Sequence, residues 1–421
     1  MPLNQGSSMS RERLISRYRQ VRCRSEEICS PLAVDDYQVQ SIPEVSPPKW
    51  HLAHVSWFFE TFLLRPFEPR YALFHPGYDY AFNSYYETVG AYHPRAQRGV
   101  LSRPTVEQIY AYRRHVDESM EQLIECIDEK LMEQLGFRTV LGLNHEQQHQ
   151  ELLLMDIKHN FASNPLRPAY QEKKQLETRE NQPAKLEWIE KRGGIYEVGQ
   201  DAEGFAYDNE TPRHRVLVED YRLAPRLVTN GEFLEFIEAG GYEHARYWLA
   251  DGWTIIRQQR WQAPLYWERL DDGWWQMTLS GMSILDEHEP ICHLSYYEAD
   301  AFARWRGKRL PTEAELEIGA RDQPLRGNFV ESGKLHPSPA EDGQWFGDLW
   351  EWTQTPYTPY PGFRPLADSL GEYNGKFMCN QLVLRGGSCV TPHSHMRPTY
   401  RNFFYPHDRW QFSGIRLAED S

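Results

Sequence analysis

Apolar residues recur at helical spacing through roughly the first 165 positions and then give way to short alternating runs, so the chain reads as two parts built on different rules. Between Arg11 and Ser30, the positions Leu14, Ile15, Tyr18 and Val21 mark one face of a first helix. Pro47 and Pro48 suit a first helical turn, and the largely apolar run that follows to Leu64 predicts a second helix. Residues 103–129 and 136–162 carry the third and fourth helices, and together the four predict a bundle. Between the second and third lies Arg65 to Pro104, polar and punctuated by Gly and Pro, and loops of that length tend to be functional.

From about Pro165 the apolar periodicity fades until Leu186. The expected domains are residues 1–165, a helical bundle; 166–190, a linker; and 191–421, a second domain. There "GGIYEVG", "HRVLVEDYRLA" and "LVLRGGS" read as short strands, with one or two helices such as "SYYEADAFARWRG". The fold class is thus multidomain, α followed by an irregular, loop-rich α+β part.

Composition narrows the partners. A length of 421 residues suffices for two domains with their own cores, and a formal charge of -14 disfavours a sequence-independent grip on nucleic acid or anionic lipid. No apolar stretch is long enough to span a bilayer and the N-terminus lacks an apolar signal core, which predicts a cytoplasmic protein working on small molecules. Six cysteines without C-x-x-C spacing suit buried thiols in a reducing compartment. Aromatic residues make up 14% of the chain, and most of the 14 tryptophans follow residue 240, as in an irregular domain wedged by large rings.

The chemistry concentrates in histidines. His145-Glu146-Gln147-Gln148-His149 satisfies H-E-x-x-H, the pattern of zinc peptidases. Residues four apart share a helix face, so His145 and His149 can clamp one metal. A zinc hydrolase would use Glu146 as general base and needs a further ligand, yet no H-x-x-G-x-x-H extension follows, and Glu151 points away from His149. The third ligand is then expected from another helix. The second helix offers His51 and His54, both embedded among Trp50, Leu52, Val55, Trp57 and Phe58, where a buried imidazole requires a partner. Three histidines with open positions suit Zn, Fe, Co or Cu.

"WHLAHVSWFFETF", "FNSYYETVG", "HPRAQRG" and "NHEQQHQELL", in that order, resemble the sulfoxide synthases of ergothioneine biosynthesis. Those proteins join a DinB-like four-helix bundle to a domain like that of formylglycine-generating enzymes, with a C-type-lectin character. "FAYDNETPRHRV", "GKRLPTEAELE", "GDLWEWTQTPYTPYPGF", "VLRGGS" and "YRNFF" follow the order of that second domain. The resemblance implies a non-haem Fe(II) oxidoreductase that uses dioxygen to join a thiol sulfur to C2 of the imidazole of hercynine, giving a sulfoxide. It implies His54, His145 and His149 as iron ligands, with His51 the second choice on its helix. Gln148 would contact the substrate imidazole, and Arg95 and Arg98 the carboxylate of the thiol, through charge-assisted hydrogen bonds. Tyr85 and Tyr86 would supply a proton near the metal. Asn402 and Phe403 would contact hercynine, whose trimethylammonium group needs aromatic faces, with Phe404 and Trp410 as wall.

The "HPRAQRG" loop resembles the branch that uses free L-cysteine; γ-glutamylcysteine or a selenium donor are the alternatives on the same fold. "YRNFF" carries no cysteine, which sets the chain apart from formylglycine-generating enzymes proper. A zinc hydrolase and a non-catalytic DinB-like binding module are the readings from other classes.

Overall fold

The computed structural model describes residues 9–172, 187–201, 204–339 and 343–421. Most of the expected linker, residues 173–186, lies outside the described residues. The chain divides into two compact units: Met1–Pro165 with Asp201–Tyr207 and Arg364–Gly375, and the remainder.

The first unit is built on four long helices. Helix α1 (Arg11–Cys29) starts where the Ser10 hydroxyl caps the N–H of Arg13. Helix α2 (Pro48–Phe59) has Pro at its first position and buries every one of its residues, the signature of a helix apolar all round and enclosed by its neighbours. It runs on through a π turn, Glu60–Leu64. Helix α3 (Val106–Cys126) opens on a capping box between Thr105 and Gln108. Helix α4 (Glu129–Ser163) begins seven residues before the sequence pattern suggests, because Asp128 caps Lys130 and ends the preceding connection there.

Helix α2 packs against α3 and α4, and α1 packs along α4. A polar bolt ties all four together. Arg22 of α1 reaches Asp117 on α3 (2.6 Å), Ser56 on α2 (2.8 Å) and Glu146 on α4 (2.9 Å). The excursion 65–104 is anchored at the π turn, where buried Glu60 accepts the hydroxyls of Tyr71 (2.6 Å) and Tyr112 (2.7 Å).

In the second unit small sheets replace long elements. Strands Asn402–Phe404, Leu382–Arg385, Trp350–Pro356 and Ser413–Gly414 form one four-stranded sheet in that order. A hairpin pairs Gly194–Val198 with His214–Val218, and Trp267–Leu270, Gly273–Thr278 and Gly281–Ile284 form a meander. Four α-helices accompany them among the described residues, Asn230–Glu238, Ala250–Gln259, Tyr296–Trp305 and Glu313–Ala320, where one or two were expected. Two of the additional ones carry legible start signals, the capping boxes Thr229/Glu232 and Thr312/Glu315. No helix among the described residues is long and apolar enough to cross a membrane.

One glycine sets the approach of α2 to α4. A Cβ at Gly142 would meet the ring of Phe59 at 2.6 Å, and that ring is fully buried. Gly142→Ala gains about 1 kcal/mol in helix propensity but overpacks this contact at a cost of about 1–3 kcal/mol. Urea denaturation of the variant is expected to show lower stability than wild type, by up to about 2 kcal/mol; a higher midpoint would contradict this packing.

Candidate metal centre

His54 on α2 and His145 and His149 on α4 bring one ring nitrogen each to within 4.8 Å of one another. The spacing on α4 is one turn, as the sequence pattern implies, and α2 supplies the third imidazole. His54 and His145 are buried throughout; His149 retains some exposed surface, with its ring in the enclosed cluster.

Two of the three rings are constrained from behind by a hydrogen bond at Nδ1. His54 Nδ1 donates to the carbonyl of Phe82 (2.6 Å), which leaves the Nε2 lone pair directed at His145 Nε2, 3.2 Å away. Its ring is sandwiched between Trp50 (4.7 Å, 11°) and Trp57 (5.6 Å, 19°). On the far face of Trp50 sits the guanidinium of Arg98, 3.3 Å from the ring centroid. His149 Nδ1 lies 2.8 Å from His51 Nδ1. His145 Nδ1 has no hydrogen-bond partner among the described residues.

Burial, followed by the mutual repulsion of neighbouring imidazoles, holds His54 and His149 well below the ordinary histidine range. Burial pulls His145 down to about 3. Three uncharged imidazoles with lone pairs turned inward are the donor set that a divalent transition metal requires, so the residues fit a metal ion. His51, the other candidate on α2, is outside the group and bonds to His149 and Asp156.

Glu146 does not fit a peptidase base. Its carboxylate is fully buried and accepts from Arg22 (2.9 Å), Arg113 (3.2 Å) and Ser25 (2.6 Å). Burial alone would raise it, but Arg22 and then Arg113, with the hydrogen bonds, hold it below the usual carboxylate range. An ion held this way bolts helices together and has no proton affinity to spare for activating water.

Around the cluster, Gln148 accepts a hydrogen bond from the hydroxyl of Tyr373, whose ring lies 5.6 Å from His145 and stacks on Tyr207 (5.4 Å, 16°). Tyr373 and Tyr207 belong to the two segments that join the first unit from far down the chain. Neither is marked in the sequence by periodicity or a metal-type motif, and both escape a reading based on them. Tyr86 is buried, stacks on Tyr85 (4.7 Å, 25°) and packs against Phe62 and Trp57. Burial, then Tyr85, raises Tyr86 well above the usual phenol value, so it keeps its proton.

Arg98 is buried and donates to Ser46 Oγ (2.9 Å), whereas Arg95 on the same short 3-10 turn is exposed. Asn402 and Phe403 lie in the second unit, where Phe403 stacks face to face on Tyr357 (4.0 Å, 10°). Their strand is held by Arg401, which pairs with buried Glu313 at 2.9 Å. Phe404 and Trp410 meet edge to face at 5.7 Å.

Comparison with known proteins decides the family. The DinB superfamily matches residues 17–153, and the sulfatase-modifying factor enzyme 1-like domain matches residues 172–344 and 332–421. The hercynine oxygenase of Mycolicibacterium smegmatis is 32% identical over 418 residues, covering 90% of this chain and 92% of that protein. The chain belongs to the hercynine oxygenases. Another member, from Mycolicibacterium thermoresistibile, is 31% identical over 421 residues, covering 90% of this chain and 88% of that protein. The formylglycine-generating enzyme of Streptomyces coelicolor is 28% identical over 291 residues, 54% of this chain and 88% of its own. As a hercynine oxygenase the protein is an oxidoreductase, and the expected sequence of a DinB-like bundle followed by an α+β domain with small sheets holds. Glu146 as the base of a zinc hydrolase is overturned by its two buried arginine partners and by this membership.

Two outcomes follow for stability. Glu146→Gln removes the buried carboxylate shared by Arg22 and Arg113, which keep only Asp117 and Glu26 as ionic partners, and should cost about 1–3 kcal/mol in urea denaturation; a variant as stable as wild type would contradict the bolt. For the histidines, His51, His54, His145 and His149 all have folded values below the ordinary 6.5. The unfolded chain therefore binds protons more readily than the fold as pH drops through 6.5. Stability of the metal-free protein should be full above that value and fall progressively below it, to be checked by melting temperature between pH 8 and pH 5.

Proposed function

We propose that this hercynine oxygenase is an Fe(II)-dependent sulfoxide synthase that joins the sulfur of L-cysteine to C2 of hercynine, forming hercynylcysteine sulfoxide in ergothioneine biosynthesis. The observation that carries the reading is the enclosed cluster of three uncharged imidazoles, His54, His145 and His149. Hercynine gives up its C2 hydrogen and the thiol its hydrogen, while dioxygen supplies the sulfoxide oxygen and one water, so the reaction balances without an external reductant. Iron held by the three histidines would supply the redox chemistry that thiol and dioxygen require.

The chain's own residues bind and orient. Arg98 is buried and makes no direct ion pair among the described residues, Asp156 acting on it only at longer range, and its Nε has no hydrogen-bond partner there. A guanidinium enclosed in that way is costly unless an anion joins it, and the carboxylate of the thiol substrate is the fitting anion, with Arg95 as the outer contact. Gln148 directs its amide N–H groups to the substrate imidazole because its oxygen is occupied by Tyr373. Tyr86, kept as a phenol by burial, holds the proton that steers oxidation toward carbon–sulfur coupling, with Tyr85 stacked on it. Asn402 and Phe403 are assigned to hercynine on the family motif "YRNFF".

Anaerobic loading with Fe(II), followed by hercynine, L-cysteine and air, should yield the sulfoxide by mass spectrometry. Oxidised thiol with unreacted hercynine would contradict the proposal. In competition, L-cysteine should be consumed ahead of γ-glutamylcysteine and a selenium donor; preference for either of the others would reassign the donor. Arg98→Ala should raise KM for the thiol by about 10–100-fold, the loss of a charged hydrogen bond, with a smaller effect on kcat. Tyr86→Phe should lower the ratio of sulfoxide to thiol-derived sulfinic acid.

A further inference from the structure

Behind His149 lies a hydrogen-bonded array whose direction can be read from its charged end. Asp156 Oδ2 accepts the backbone N–H of Ser46 at 2.8 Å and lies 2.9 Å from His51 Nε2. A carboxylate oxygen has no proton to give, so the Nε2–H of His51 donates to it. A neutral imidazole protonated at Nε2 carries its lone pair on Nδ1. That atom is 2.8 Å from His149 Nδ1, so the Nδ1–H of His149 is the donor across this contact. The remaining lone pair of His149 is therefore on Nε2.

We propose that His51 and Asp156 are positioning residues that hold His149 in the one tautomer whose Nε2 lone pair can join those of His54 and His145 on a metal. The inference rests on the three-histidine metal reading and gives His51, the second-choice ligand on α2, and Asp156 a role outside the ligand set. The geometry is rigid by construction. Asp156 follows His149 by seven residues, two turns along the same face of α4, and His51 precedes His54 by three on α2. The two helices that carry the ligands thus carry the array as well. His51 and Asp156 are each only 2% exposed, so water does not compete for these bonds. His54 reaches the same tautomer by another route, donating Nδ1–H to the Phe82 carbonyl. Carboxylate or carbonyl partners of this kind fix the ring orientation of metal-bound histidines and raise their basicity.

The test uses the metal-free full-length protein and Co(II) alone, titrated against a chromophoric chelator, with no substrate present. Wild type should bind one Co(II), and His51→Phe should weaken binding by ~10–100-fold while its metal-free form keeps the wild-type circular dichroism and cooperative melting. His51→Gln should recover most of the affinity, since its amide oxygen can accept from His149 and its N–H can donate to Asp156. In Zn(II)-loaded wild type with 15N-labelled histidine, NMR should show His149 protonated at Nδ1 and metal-bound at Nε2. The proposal is overturned if His51→Phe binds Co(II) as tightly as wild type, or if His149 is found bound through Nδ1; the wild-type spectrum decides even where His51→Phe does not fold. Absence of Co(II) binding by wild type would instead bring down the metal reading and this inference with it, whereas full binding with wrong reaction products would leave the array standing and sink only the proposed reaction.

Discussion

Three imidazoles kept unprotonated in an enclosed space, with lone pairs directed at one another, are costly for any fold to assemble, and much of the first unit is arranged around sustaining them. Each ring left alone would turn outward or take a proton. The remedies differ from ring to ring: a backbone carbonyl and two stacked tryptophans for His54, a histidine for His149, and close helix packing for His145. Because those supports come from α2, α4 and the excursion between α2 and α3, the site requires the helices to meet at one spacing. Gly142 and the bolt centred on Arg22 and Glu146 set it.

The same bolt explains why an H-E-x-x-H spelling does not produce a hydrolase. A general base needs a carboxylate with room for water and a proton affinity near the working pH. Glu146 turns instead into the interior of the bundle, where two arginines and a serine use both of its oxygens. The letter pattern records a helix with two histidines on one face; the neighbours brought by α1 and α3 decide what the glutamate between them does.

The four helices were legible because amphipathic periodicity and capping residues are local signals, and three of the four begin within three residues of the expected positions. The start of α4 differs from the expected one because only Met132 and Leu135 are buried ahead of Gly136, too short an apolar pattern to mark a helix, and the Asp128 cap sets the true start. Within the site, the one-turn pair His145 and His149 was legible from spacing alone. The choice of His54 over His51 was not, since both lie on the buried surface of a helix with no exposed face, and only the packing of α2 on α4 separates them. The same holds for Tyr373, which lies more than 200 residues from Gln148 and has no periodic relation to it. Arg98 sits between these cases. Its family motif pointed to it, but its enclosure against Trp50 is a tertiary fact.

The most direct test of the central claim is X-ray absorption on the anaerobic Fe(II)-loaded protein without substrates. The account predicts one iron per chain with three imidazole nitrogen scatterers, the remaining positions filled by light oxygen atoms, and loss of one imidazole in His54→Ala. A spectrum with a fourth imidazole, a carboxylate lost on substitution of Glu146, or an unchanged shell in His54→Ala would contradict it.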